Sequence, residues 1–99
     1  MRCVILDDFQ QVAMKMADWD RLRPEVLVEA ETRHLSDPDR LVERLAGVAI
    51  VVANRERTPF PVYVLERLPD LRLLVTTGAA NAAIDAAACA RLGITFCGT

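Results

Sequence analysis

Residues 48–53 read VAIVVA and residues 73–76 read LLVT. Both are almost unbroken apolar runs. A strand with one wet face alternates apolar and polar side chains, whereas a parallel strand covered on both faces has no solvent-facing row. These runs therefore predict central parallel strands. Three more short runs, residues 3–6, 26–29 and 94–97, complete a set of five predicted strands.

The segments between them carry helix punctuation. Asp37 precedes Pro38, an N-cap followed by proline at the first helical position; Leu41, Val42 and Leu45 form an apolar stripe, and Gly47 closes the helix. A second helix is predicted to open at Thr58-Pro59, turn Val62, Leu65 and Leu68 inward and stop at Pro69. Another runs from Asp85 to Gly93, and the first spans residues 11–22, ahead of Pro24. Strands joined by helices imply a flavodoxin-like, doubly wound parallel sheet of α/β class. The expected order is 2-1-3-4-5, in three α/β/α layers with the last helix missing. No repeat or linker interrupts residues 1–99, so one domain is expected.

The chain has 99 residues, 53% of them hydrophobic and 26% charged, with a formal net charge of -2, a soluble globular composition. Its basic residues are interleaved with acids, as in Arg55-Glu56-Arg57, so the basic face that nucleic-acid binding needs is missing. No apolar run approaches the ~20 residues of a membrane span, and the first residues lack a signal peptide's apolar stretch. A cytoplasmic protein is expected. Cys3, Cys89 and Cys97 are odd in number and form no C-x-x-C pair, which argues against disulfides and zinc and for buried apolar fillers.

In an open parallel sheet, ligands bind beyond the carboxyl ends of the strands. The first such loop, Asp7-Asp8-Phe9, could hold Mg²⁺ as in response-regulator receivers. Asn54 stands where a receiver's phosphate-accepting aspartate belongs, however, and Cys97-Gly98-Thr99 offers no lysine. Helix capping and solvation are the simpler role for these two acids. The loop after the third strand contains Arg55, whose guanidinium could fork onto the carboxylate or phosphate of a small anion, or pair with Glu56 at the surface. The loop after the fourth, Thr76-Thr77-Gly78-Ala79-Ala80-Asn81, is small enough for backbone N–H groups to reach a carboxylate; an ordinary turn capped by Asn81 is the alternative. His34, the only histidine, has no acid or serine patterned to work with it, so a structural or exposed role is expected. Met14, Met16 and Trp19 read as packing residues of the first helix.

Four segments, CVILDDFQ, VVANRERTPFP, LERLPDLRLLVTTGAANAAID and AAACARLGITFCGT, make the chain resemble the D-2-hydroxyacid dehydrogenases from end to end. The resemblance implies the substrate domain of a phosphoglycerate dehydrogenase-like oxidoreductase, cut off before its NAD-binding domain. It places substrate contacts on Arg55 and on the backbone of Gly78, Ala79 and Ala80, with Ala79 approaching the nicotinamide in the full enzyme. Ala79 and Ala80 are smaller than the bulkier or basic residues expected there, so side-chain contacts at those positions are in doubt. Three further expectations follow from the resemblance: NAD(H) or NADP(H) as cofactor of the complete enzyme and none for this chain alone, catalytic arginine, glutamate and histidine outside it, and no turnover by itself. An uncovered sheet face would favour a homodimer. The competing reading is a stand-alone, non-catalytic, self-associating module.

Overall fold

The computed structural model describes residues 1–8, 25–54, 58–77 and 83–98. The described elements, in chain order, are β1 (Arg2–Ile5), β2 (Leu27–Ala30), α1 (Pro38–Arg44), β3 (Ile50–Ala53), α2 (Val62–Leu65), β4 (Leu73–Thr76), α3 (Ala86–Arg91) and β5 (Thr95–Gly98). All five strands pair in parallel in the order β2-β1-β3-β4-β5, as the sequence predicts. The helix expected over residues 11–22, with Met14, Met16 and Trp19, lies outside the described residues.

Register and periodicity sort the sheet into two faces. Val4, Val51, Leu74 and Phe96 lie side by side across four strands, and α1, α2 and α3 cover them. Leu41, Leu45, Val64, Leu65, Leu68, Ala88 and Cys89 join Val4, Val51 and Leu74 in one buried cluster, with Phe96 packed at its margin. The opposite face carries a smaller cluster of Cys3, Ile5 and Val28, with Val26, Ile50 and Val52 partly buried around it. Burial of one row of β3 under the helices and partial burial of the other, at Ile50 and Val52, explain its unbroken apolar run.

Helix boundaries follow local chemistry. Asp37 accepts from the Asp39 N–H and Asp85 from the Ala88 N–H, both as N-caps. Gly47 and Gly93, both at φ 75°, take the left-handed turn after α1 and α3, a conformation open to glycine without steric cost. The second predicted helix needs correction. It begins at Val62 behind Pro61, with no side-chain cap, and residues 58–60 stay outside it. Phe60 there forms a parallel bridge with Ile84, donating its N–H to Ala83 O at 2.8 Å and accepting from Asp85 N at 3.1 Å. The Phe60 ring is fully buried in the main core cluster.

The cysteine expectation holds for two of three. Cys3 and Cys89 are buried and free, but Cys97 is exposed on the edge strand β5. Among the described residues, no helix is long and apolar enough to cross a membrane.

Candidate functional site

The carboxyl ends of β1, β3 and β4 are tied together by polar side chains. At the end of β1 the backbone of Asp7 turns through φ 57°, the one described non-glycine residue with positive φ. Aspartate tolerates that region better than most side chains, and such residues concentrate where surroundings hold them in place. The Asp7 carboxylate is 1% exposed, and both of its oxygens are engaged. Thr58 donates Oγ1–H to Oδ2 at 2.5 Å, within the range for a hydroxyl on an ionised carboxylate. His34 Nδ1 lies 2.9 Å from Oδ1. A carboxylate oxygen accepts, so Nδ1 is the donor of this pair.

Two further bonds extend the rim. Asn54 donates Nδ2–H to Asp7 O at 3.4 Å and accepts from Thr77 Oγ1 at 3.1 Å. Thr77 also donates its N–H to Ala53 O at 2.9 Å. The network thus brings together residues from the ends of three neighbouring strands, where the order β1-β3-β4 places them.

Four sequence expectations meet this geometry. Arg55, Gly78, Ala79 and Ala80 lie outside the described residues, yet their neighbours are fixed: Asn54 and Thr58 flank residues 55–57, and Thr77 precedes Gly78. Asp7 and Asp8 are not solvated, being 1% and 6% exposed. The Asp7 carboxylate, committed to Thr58 and His34, is not arranged as a Mg²⁺ ligand, and no group of three metal-binding side chains occurs among the described residues. His34 does have an acid partner, contrary to expectation. The pair is 27 residues apart in sequence and becomes visible only when the order β2-β1 sets the two strand ends side by side. Thr58, read as a helix start, serves this rim instead.

Beside His34, the loop after β2 and the start of α1 enclose a shallow hollow of about 280 Å³ lined by Arg33, His34, Leu35, Ser36, Asp37 and Arg40. Its charges are mixed, and Arg33 is already bonded through Nε to Glu31 Oε2 at 3.3 Å. Below it, Glu29 takes Nε of Arg2 at 3.0 Å and Nη1 of Arg44 at 3.2 Å. The hydrogen bond from Arg2, aided by both guanidinium charges, holds the Glu29 carboxyl below its usual range against a smaller desolvation effect. Burial pushes the Cys3 thiol upward, which suits an inert core filler and not a nucleophile.

A family model for the D-isomer specific 2-hydroxyacid dehydrogenase catalytic domain matches residues 3–99. Among solved structures, a phosphoglycerate oxidoreductase from Vibrio cholerae superposes with a TM-score of 0.90 at 35% identity, covering 99% of this chain and 31% of that one. An oxidoreductase from Ralstonia solanacearum gives 0.87 at 28% identity, over 96% of this chain and 29% of that one. A D-lactate dehydrogenase from Treponema pallidum, at 22% identity and a TM-score of 0.77, shares the fold over 99% of this chain and 29% of its own. No curated protein matches. The chain thus spans about a third of the length of these structures. With the model match running from Cys3 to the last residue, the chain belongs to the D-isomer-specific 2-hydroxyacid dehydrogenase family.

Proposed function

We propose that this chain is the substrate-side wall of an oxidoreductase acting on the CH–OH group of a small 2-hydroxy acid, phosphoglycerate-like in substrate class. Arg55 and the backbone amides of Gly78, Ala79 and Ala80 would hold the carboxylate. The observation that carries this reading is the polar rim: Asn54, Thr58 and Thr77 are bonded to one another or to Asp7 at the positions bordering residues 55–57 and 78–82. A guanidinium forking onto a carboxylate gains both charge and direction from such anchoring.

The hydride carrier expected of the family, NAD(H) or NADP(H), does not fit the residues of this chain. Its four glycines, at 47, 78, 93 and 98, make no G-x-G-x-x-G, and Gly47 and Gly93 are spent closing helices. In our reading the cofactor and the acid/base histidine belong to other residues of a complete enzyme, and this wall alone binds without turning over. Three free thiols agree with a reducing, cytoplasmic setting.

The test is an amide-resolved NMR titration with oxalate, D-glycerate and D-3-phosphoglycerate. Saturable shifts confined to residues 54–58 and 76–83, weakened about tenfold by Arg55→Ala, are expected. Shifts elsewhere, or none, overturn the reading. NADH oxidation by the isolated chain with 2-oxo acids would overturn the assignment of catalysis to other residues.

A self-associating, non-catalytic module is the second reading, favoured by edge strand β5, exposed at Thr95, Cys97 and Gly98. It predicts a homodimer. Light scattering showing a monomer at tens of micromolar rules it out.

A further inference from the structure

We propose that the groove between the loop after β2 and the flank of α1 binds a terminal diphosphate group, held by Arg33 and Arg40 with Arg44 beside them. Nothing in this site depends on Arg55 or on the rim at the ends of β1, β3 and β4.

The hollow beside His34 shares Arg33, Leu35 and Arg40 with a second one of about 510 Å³, which Glu43 and Arg44 complete. Three guanidiniums thus line one groove from two sides. Arg33 comes from the loop, while Arg40 and Arg44 stand one turn apart on α1, about 6 Å along its axis. Leu35, partly buried against the core, is the apolar part of the lining.

Two of these arginines are set in place by a buried acid. Glu31, its side chain 8% exposed, accepts from Arg33 Nε at 3.3 Å and from Arg44 Nε at 3.0 Å, and its Oε2 also takes the Arg33 backbone N–H at 3.2 Å. Arg33 is bonded through Nε alone, so its two terminal nitrogens have no partner among the described residues. Arg44 also gives Nη1 to Glu29 and has less left to offer. Arg40, exposed, has no partner at all among the described residues. A guanidinium already oriented by a buried partner loses less freedom when it closes on an anion.

Charge decides the sign of the ligand. Behind the groove, Arg2, Arg33 and Arg44 outnumber Glu29 and Glu31 by one, and Arg40 adds a second positive charge. The opposing acids in the lining are Glu43 and Asp37, and Asp37 is already turned onto the Asp39 N–H. Two linked phosphates suit this groove better than one carboxylate or phosphate. They can take donors from both walls at once, and they carry more charge to set against the two acids.

The test is an amide-resolved NMR titration of the wild-type chain with inorganic pyrophosphate, at about 0.15 M ionic strength so that loose surface binding is screened. Saturable shifts at residues 33–37 and 39–44 are expected, and D-3-phosphoglycerate, with one phosphate, should leave those signals in place. Arg40→Ala, at a side chain bonded to no described residue, should weaken pyrophosphate about tenfold; Arg40→Lys, which keeps the charge without the fork, should weaken it about threefold. Glu43→Gln should tighten it about twofold. Arg91→Ala removes the same charge from the exposed last turn of α3 and should change affinity by less than about twofold. ADP in place of pyrophosphate identifies the source of the group: tighter binding marks a nucleoside diphosphate lying over Leu35, no gain marks the inorganic ion, and both uphold the site. Shifts that spread over the chain or fail to saturate, Arg40→Ala indistinguishable from wild type, or Arg91→Ala as costly as Arg40→Ala would each overturn the proposal. So would weaker binding by Glu43→Gln, or signals at 33–44 that answer D-3-phosphoglycerate as readily as pyrophosphate.

Discussion

Arg44, in the last turn of α1, donates Nε to Glu31 Oε1 at 3.0 Å, reaching from the helix to the residue just past β2. The same guanidinium holds Glu29, which also holds Arg2, while Glu31 holds Arg33. Five charges thus alternate in sign along the β2 edge and join helix, strand and loop. Arg44 is 23% exposed and Glu31 8%, so this end of the network is screened less than an ordinary surface pair.

The network gives stability a pH dependence of definite sign. Burial pushes the Glu31 carboxyl up, but hydrogen bonds from Arg33 and Arg44 and the charge of Arg33 outweigh it and leave it below 4.5, its ordinary value; Glu29 is lowered as well. A carboxyl depressed by folding contributes stability above its unfolded value, and that contribution drains away as pH falls through the folded one. Chemical denaturation should therefore show Glu31→Gln to be less stable than wild type by about 1 kcal/mol at pH 7. The gap should narrow below pH 4.5, the ordinary glutamate value. A gap that stays constant down to pH 3 would show that packing, not charge, accounts for it.

Thiol labelling separates the cysteines. In the native chain a maleimide should modify Cys97 quickly and leave Cys3 and Cys89 untouched until denaturant is added. Burial raises both protected thiols, so raising the pH to 8 should not change the order. Mass spectrometry after partial labelling reads this out directly.

Asp37→Ala should cost about 1 kcal/mol, the usual loss of a side-chain N-cap, since the carboxylate accepts from Asp39 N at 3.0 Å. Asp37→Ser should recover most of it. Thermal melts of the three proteins provide the comparison.

Leu74, fully buried in the centre of β4, is the residue whose truncation should hurt most. It lies level with Val51 and Phe96 on the face that all three described helices cover. Leu74→Ala should cost about 2–5 kcal/mol in a urea titration, depending on how far the helices can close on the cavity. Tyr63→Ala, at a side chain 57% exposed on α2, is the control and should stay within about 0.5 kcal/mol.

Which parts of this protein were legible in its sequence follows from the range of the forces involved. The strand runs at 48–53 and 73–76, the Asp37 and Asp85 caps and the Gly47 and Gly93 turns are set by burial periodicity and local hydrogen bonding over a few residues. Together they implied a doubly wound parallel sheet, and the flavodoxin-like order expected for it, β2-β1-β3-β4-β5, is the one observed. The helix start at Thr58-Pro59 misled because the same residue types also suit an extended segment. Only the bridge from Phe60 to Ile84 and the bond from Thr58 to Asp7 decide between them. The candidate loops around Arg55 and Gly78 were nameable because they follow apolar runs. The rim that anchors their neighbours was not, since Asp7, His34, Asn54, Thr58 and Thr77 share no local pattern. They meet because three strand ends and one loop are brought to the same edge of the sheet, and hydrogen bonds between side chains depend on distance in space, to which separation along the chain is indifferent.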